Sequence, residues 1–286
     1  MANTVTPTNG THYRQERYAK TIVELMRPYL RVRSLFTRDY EGDPKAGAVK
    51  VPVRNTDVSV QDYDVVSGVD LTTSATTYLD IAINKNKAIN ELIDGYEAEA
   101  VPDNLVAQRM ESGAYSLART MENDALAVLT NSANYTASQT AGTKSTANTI
   151  YADILKDVAQ LKKLGVDPTR IKVIIDNEAE VLLLTDEKFS NTASQIGAEL
   201  ARNGVVGRIN GCDTYTQDLS AYGVQYMIIA PDWCKAIDEW KIEPRVVNIQ
   251  DAKYVGASKL EGRMVYANAV TDKKAVIVKL DPTASV

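Results

Sequence analysis

The chain has 286 residues, 44% of them hydrophobic, enough for one large domain or two ordinary ones around a sizeable core. A formal net charge of -5 argues against a chain that wraps nucleic acid, because such proteins neutralise phosphates with an excess of Lys and Arg. Cys212 and Cys234 have no histidine or second cysteine pair near them in sequence, so they read as reduced thiols and not as a zinc site or a disulfide framework. Met1 to Gly10 is polar and lacks the pattern of a signal peptide, and no apolar run approaches the ~20 residues needed to span a bilayer. A soluble protein made in a cytoplasm, with no membrane partner, is expected.

From His12 to Arg38 the chain carries Arg14, Arg17, Lys20, Arg27, Arg31, Arg33 and Arg38 against Glu16 and Glu24, which makes a basic arm. Arg14 to Met26 mixes charge with apolar residues and predicts a short amphipathic helix ended near Pro28. A solvated surface helix is the plainer reading of it.

Val49, Val51 and Val53 then alternate with polar neighbours, as do Leu79, Ile81 and Ile83, predicting two strands of period two. Pro52 lacks a backbone donor and places the first strand at an edge or outside a main sheet, so a two-stranded ribbon fits. Between Asn55 and Ala75 stand Asp57, Asp62, Asp64 and Asp70 with no Lys or Arg, while Val58, Val60, Val65, Val66, Val69 and Leu71 have no evident core to enter. A loop of that length is expected to bind something.

From Pro102 to Thr130 apolar residues recur every three or four positions, predicting a helix roughly 40 Å long at ~1.5 Å per residue. Asn131 to Thr149, rich in Ser, Thr, Ala and Gly, reads as a mobile linker and a domain boundary. Beyond it come a helix closed by Gly165 and Pro168, a buried strand at Ile171 to Ile175, and a short helix capped by Asn177. Ser190 to Arg202 reads as another helix or a mobile loop. Strands are predicted at Val205 to Tyr215, Tyr226 to Ala230, Ala236 to Trp240, Arg245 to Ile249, Leu260 to Val270 and Ala275 to Leu280.

Catalytic signatures are missing from the sequence. The lone histidine, His12, lies in the polar N-terminal segment, and histidine is the commonest general base and metal ligand near neutral pH. Gly142 to Ser145 resembles the end of a phosphate loop, but Lys144 does not directly follow Gly and no buried strand precedes it. Asn203 to Gly211 reads as a hairpin turn, and Glu97, Glu99 and Asp103 as a solvated helix entrance. No enzyme activity and no cofactor are expected; the rival is an uncharacterised enzyme built on the Ile150 to Leu184 segment.

The order of these parts resembles the major capsid proteins of tailed phages, with the α+β Hong Kong 97-type fold also found in encapsulins. Gly42 to Asn84 is similar to the extended loop of that family, with its Val-x-Val-Pro opening and Leu-Asp-Ile-Ala-Ile close; Asp103 to Leu129 is similar to its spine helix. Asn203 to Leu219 resembles an axial-domain segment, and Leu260 to Leu280 the closing strands of the peripheral domain.

The resemblance implies an N-terminal arm at 1–41, an extended loop at 42–84, a peripheral domain at 85–149 and 233–286, and an axial domain at 150–232. It implies a self-assembling shell of hexamers and pentamers, with a scaffolding protein, a portal and weakly held double-stranded DNA as partners, built in a bacterial cytoplasm and found in the virion. An encapsulin-type compartment enclosing a cargo enzyme is the alternative. Contacts between subunits are expected to pair Asp57, Asp62, Asp64, Asp70 and Leu71 of the loop with Arg14, Arg17, Arg27, Arg31, Arg33 and Arg38 of the arm. Some family members join a loop lysine to a neighbour's asparagine; the distal loop here has no lysine, so no covalent ladder is expected.

Overall fold

The computed structural model describes residues 4–5, 12–13, 30–38, 47–54, 58–73, 76–94, 105–186, 205–251 and 253–283. The helix expected at Arg14 to Met26, the start of the long helix at Pro102, and Ser190 to Arg202 lie outside them. The chain divides into two compact units, one of Met1–Arg27, Ala88–Ser116 and Ile242–Arg263, the other of Pro28–Lys87, Leu117–Lys241 and Met264–Val286.

In chain order the elements are β1 (Thr4–Val5), β2 (His12–Tyr13), β3 (Ala48–Arg54), β4 (Thr76–Ala82), β5 (Lys85–Ile93), α1 (Leu105–Leu129), β6 (Thr136–Ala137), α2 (Ile150–Lys163) and β7 (Lys172–Ile175). After these come α3 (Asn177–Thr185), β8 (Val205–Ile209), β9 (Cys212–Thr216), β10 (Val224–Ile229), β11 (Cys234–Asn248), β12 (Ser258–Val270) and β13 (Val276–Leu280). They form a six-stranded sheet in the order β6-β13-β10-β7-β9-β8, a three-stranded sheet β11-β12-β5, and the pairs β3-β4 and β1-β2.

The six-stranded sheet is covered on both faces, which is why its central strands read as continuous apolar runs. Val173, Ile175, Tyr226, Ile228 and Ile277 share one buried cluster with Ile150, Ile154, Val158 and Leu161 of α2 and Ala179 and Leu183 of α3. Their chain neighbours Ile174, Met227, Ile229, Val276 and Val278 belong to the opposite cluster with Ala125, Leu126 and Leu129 of α1. This is the period-two alternation of a strand. Each fully buried aliphatic side chain contributes ~1.5 to 3 kcal/mol, so these three strands dominate the core.

In the smaller unit, Gly113 of α1 lets the helix sit close to its neighbours: a Cβ there would stand 3.0 Å from Leu260 Cδ2 and 3.4 Å from Ile89 Cγ2. A side chain there would press on these two, and Leu260 and Ile89 would have to give by a few tenths of an ångström.

Three sequence expectations change. The cap of α3 is Asp176 and not Asn177: one carboxylate oxygen accepts from the Glu178 N–H at 3.1 Å, and the other accepts from the Leu219 N–H at 2.8 Å in the segment after β9. The segments Ala236 to Trp240 and Arg245 to Ile249 are one strand, β11, continuous through Pro244. The hairpin turn expected within Asn203 to Gly211 is observed, splitting Val205 to Tyr215 into β8 and β9 at Asn210 and Gly211, both with positive φ. β5 was unforeseen, because Lys85–Ile93 is largely polar and half-exposed and gives little alternating signal.

Candidate assembly surface

Two extensions are rooted on the first half of β11. The first is the end of the arm. Backbone N–H groups of Arg31, Val32 and Arg33 donate to the buried Glu122 carboxylate at 2.9, 2.7 and 2.9 Å, while Val32 and Phe36 enter the core beside Leu126 and Leu129. A carboxylate receiving three consecutive main-chain donors is a strong, charge-assisted anchor that fixes register. Thr37 completes it, donating to the Cys234 carbonyl at 2.9 Å and accepting from the Ala236 N–H at 3.1 Å.

Arg33, only 6% exposed, points inward. Its guanidinium pairs with both oxygens of Asp238, donates to Asn268 Oδ1 at 3.1 Å and lies 5.4 Å from the centre of the Tyr266 ring. Tyr266 donates to Asp124 at 2.6 Å, and burial followed by that bond pushes its hydroxyl up from the usual tyrosine range. Arg38 reaches the same Asp238 at 3.4 Å but stays largely exposed. Arg31 is described, whereas Arg14, Arg17 and Arg27 lie outside the described residues.

The second extension is the ribbon. β3 and β4 pair antiparallel from Ala48↔Ala82 to Arg54↔Thr76, with Pro52 opposite Tyr78 and Lys50 opposite Asp80, an exposed ion pair at 3.7 Å. Only the base is buried, where Val49 and Ile81 cluster with Ile237 and Ala267. The distal part exposes a run of apolar side chains: Val60 is 98% exposed, Val66 95% and Leu71 97%. A patch of this kind on a single subunit marks an interaction surface.

Of the acids expected to face a neighbour, Asp62 and Asp70 are exposed. Asp64 also shapes its own turn, accepting from the Val66 N–H at 2.7 Å and the Ser67 N–H at 3.3 Å around Gly68 at φ 72. Those donors hold its carboxyl below the usual carboxylate range. Asp57 lies outside the described residues.

Among the described residues no group of three or more His, Cys, Asp or Glu is placed to hold a metal, and no helix is long and apolar enough to cross a membrane. A family model described as phage capsid protein matches residues 96–279, well over half of the chain. The chain belongs to the phage capsid protein family.

This capsid protein has the α+β Hong Kong 97-type fold of tailed-phage major capsid proteins. A solved structure from Mycobacterium phage Che8 superimposes with a TM-score of 0.72 at 20% identity, covering 96% of this chain and 99% of that one. The capsid of cyanophage P-SCSP1u gives 0.68 at 11% identity, covering 93% and 92%. The capsid of Myoviridae phage XM1 gives 0.63 at 12% identity, covering 93% and 96%. No curated protein matches the chain. The family match and these neighbours favour a phage shell over an encapsulin compartment.

Sequence reasoning missed Glu122, Asp238, Asn268 and Tyr266. Glu122 offered one signal, standing four positions before Leu126 and directly beside Met121, inside the helix's apolar arc.

Proposed function

We propose that this capsid protein is the structural head subunit of a tailed phage, assembling with itself into hexamers and pentamers of a closed shell around double-stranded DNA, without a catalytic step. The observation that carries the reading is the ribbon: an anchored base with a distal stretch of valines and Leu71 left to solvent in one subunit. Such a surface is stabilised when a neighbour covers it. On this reading residues 1–41 are the arm, 42–84 the extended loop, 85–149 with 233–286 the peripheral domain, and 150–232 the axial domain. A scaffolding protein and a portal act in assembly in the host cytoplasm, and DNA is contained with weak, non-specific contact, a reading the net charge of -5 supports.

The acidic ribbon of one subunit meets the basic arm of the next. Asp62 and Asp70, with Asp57 and the outer oxygen of Asp64, supply the negative side; Arg38 and Arg31, with Arg14, Arg17 and Arg27, supply the positive side. Arg33 acts indirectly by holding the arm root in place. Exposed pairs contribute only ~0.2 to 1 kcal/mol each and are screened by salt, so charge sets register while Val60, Val66 and Leu71 supply the burial.

The test is removal of the distal ribbon, replacing 58–73 by a two-residue turn. The shortened chain is expected to keep the far-ultraviolet circular dichroism of the parent and to yield no large particles by light scattering. Shells formed as readily as by the parent would overturn the reading.

A further inference from the structure

The polar stretch between α1 and α2, expected to be loose, is tied down by buried charge. β6 runs parallel to β13 at Thr136↔Ile277 and Ala137↔Val278, and the Ser138 N–H extends this by donating to the Val278 carbonyl at 3.0 Å. Beyond that point side chains take over. The Lys279 ammonium, wholly buried, donates to the carbonyl oxygen of Thr140 and, at 2.7 Å, to its Oγ1, and lies 3.8 Å from Asp153 Oδ2.

Two acids of α2 reach the same stretch. Asp157, fully buried, accepts from the Gln139 N–H at 3.0 Å and from the Tyr226 hydroxyl at 2.8 Å; Asp153 accepts from Ser145 Oγ at 2.7 Å. The Ser145 N–H donates to Gln225 Oε1 at 3.0 Å, and Lys144 closes the far end on Asp281 at 2.6 Å. Burial pulls Lys279 below the usual lysine range, Asp153 and Asp157 oppose that shift, and Lys156 adds to it. Burying an ammonium is costly unless its bonds are well made, and here most of them end on this stretch.

The outer edge of β13 is covered by β6 and Ser138 at Ile277 and Val278, and the tied stretch that follows holds them there. Ala275 to Val278 is an unbroken apolar run with three β-branched residues and no charge. An uncovered edge of that composition is a template for strand addition by another chain.

We propose that 138–145 is a strap, fastened by the buried Lys279, that holds β6 on the outer edge of β13 and so keeps this edge from pairing with a second copy of the chain. It stands independently of the shell-forming role, since it concerns a guard on the folded subunit. Replacing Lys279 by Met keeps the volume and removes the charge; replacing Ser138 and Ser145 together by Ala removes the side-chain anchors on Tyr226 and Asp153 and leaves the backbone pairing of every strand in place.

Hydrogen exchange read by mass spectrometry on the full chain decides it. In Lys279→Met, peptides covering 138–145 are expected to exchange roughly tenfold faster or more, while β7 and β10 keep their protection, and sedimentation is expected to show disordered aggregate that the parent does not form. The double alanine variant is expected to shift the same peptides less, and it decides the matter if the methionine variant does not fold. Unchanged exchange at 138–145 would refute the strap. Faster exchange without added self-association would refute its role as an edge guard.

Discussion

At the scale of single residues, the arm root shows how a charged side chain leaves the surface. Arg33 sits in a run of arginines expected to meet a neighbour's loop, yet it is enclosed by Asp238, Asn268 and Tyr266 of its own chain, with its backbone N–H bound to Glu122. Truncating one partner of such a pair leaves the other charge poorly compensated. Arg33→Ala is therefore expected to lower the unfolding free energy by ~3 kcal/mol or more, and Arg33→Ala with Asp238→Ala by less than the sum of the two single changes. Urea unfolding of the four proteins measures this cycle; strict additivity would mean that the pair contributes nothing as a pair.

Elements differ in how far local sequence determines them. The ribbon was legible because Val49, Val51 and Val53 against Leu79 and Ile81 alternate cleanly and Pro52 forbids a central strand; the observed register follows. α1 and α2 were legible from helical spacing. The Asn131 to Thr149 stretch was not: its serines and threonines are what a loop looks like, and the buried groups that order it, Asp153 and Asp157 of α2 and the distant Tyr226 and Lys279, give no local signal. The Glu122 anchor was hidden for the same reason, since its donors precede it by about 90 residues.

Two predictions belong to these elements. Replacing Asp62 and Asp70 by Lys is expected to impair assembly at low salt, as is Arg38→Glu, and the combination is expected to recover part of the loss. Light scattering at low and high salt follows this; singles that assemble like the parent at low salt would remove the charge pairing. The second concerns Asp281. Its slight burial raises its pKa, but hydrogen bonds from Lys144 and Thr283 outweigh that and hold it at about 2 against an ordinary 3.8. A depressed carboxyl contributes stability that is present above 3.8 and lost as pH falls toward 2. Asp281→Asn should then differ from the parent at neutral pH and converge with it across that acid window in urea titrations. A gap that does not change with pH would contradict this.

For the whole molecule, the arrangement of parts explains why one subunit is incomplete. The arm root and the ribbon base are both fixed near residues 235–238 of β11, whereas the distal ribbon carries apolar residues that stay exposed among the described residues. The two faces of the six-stranded sheet are by contrast fully used within the chain. Closed symmetry lets identical subunits cover one another's exposed segments without leaving an open end, which is the economy of a shell. Self-assembly is tested most plainly by negative-stain electron microscopy of the purified chain at low and at high salt. Closed particles of uniform diameter are the predicted result; a stable monomer under every such condition would contradict it.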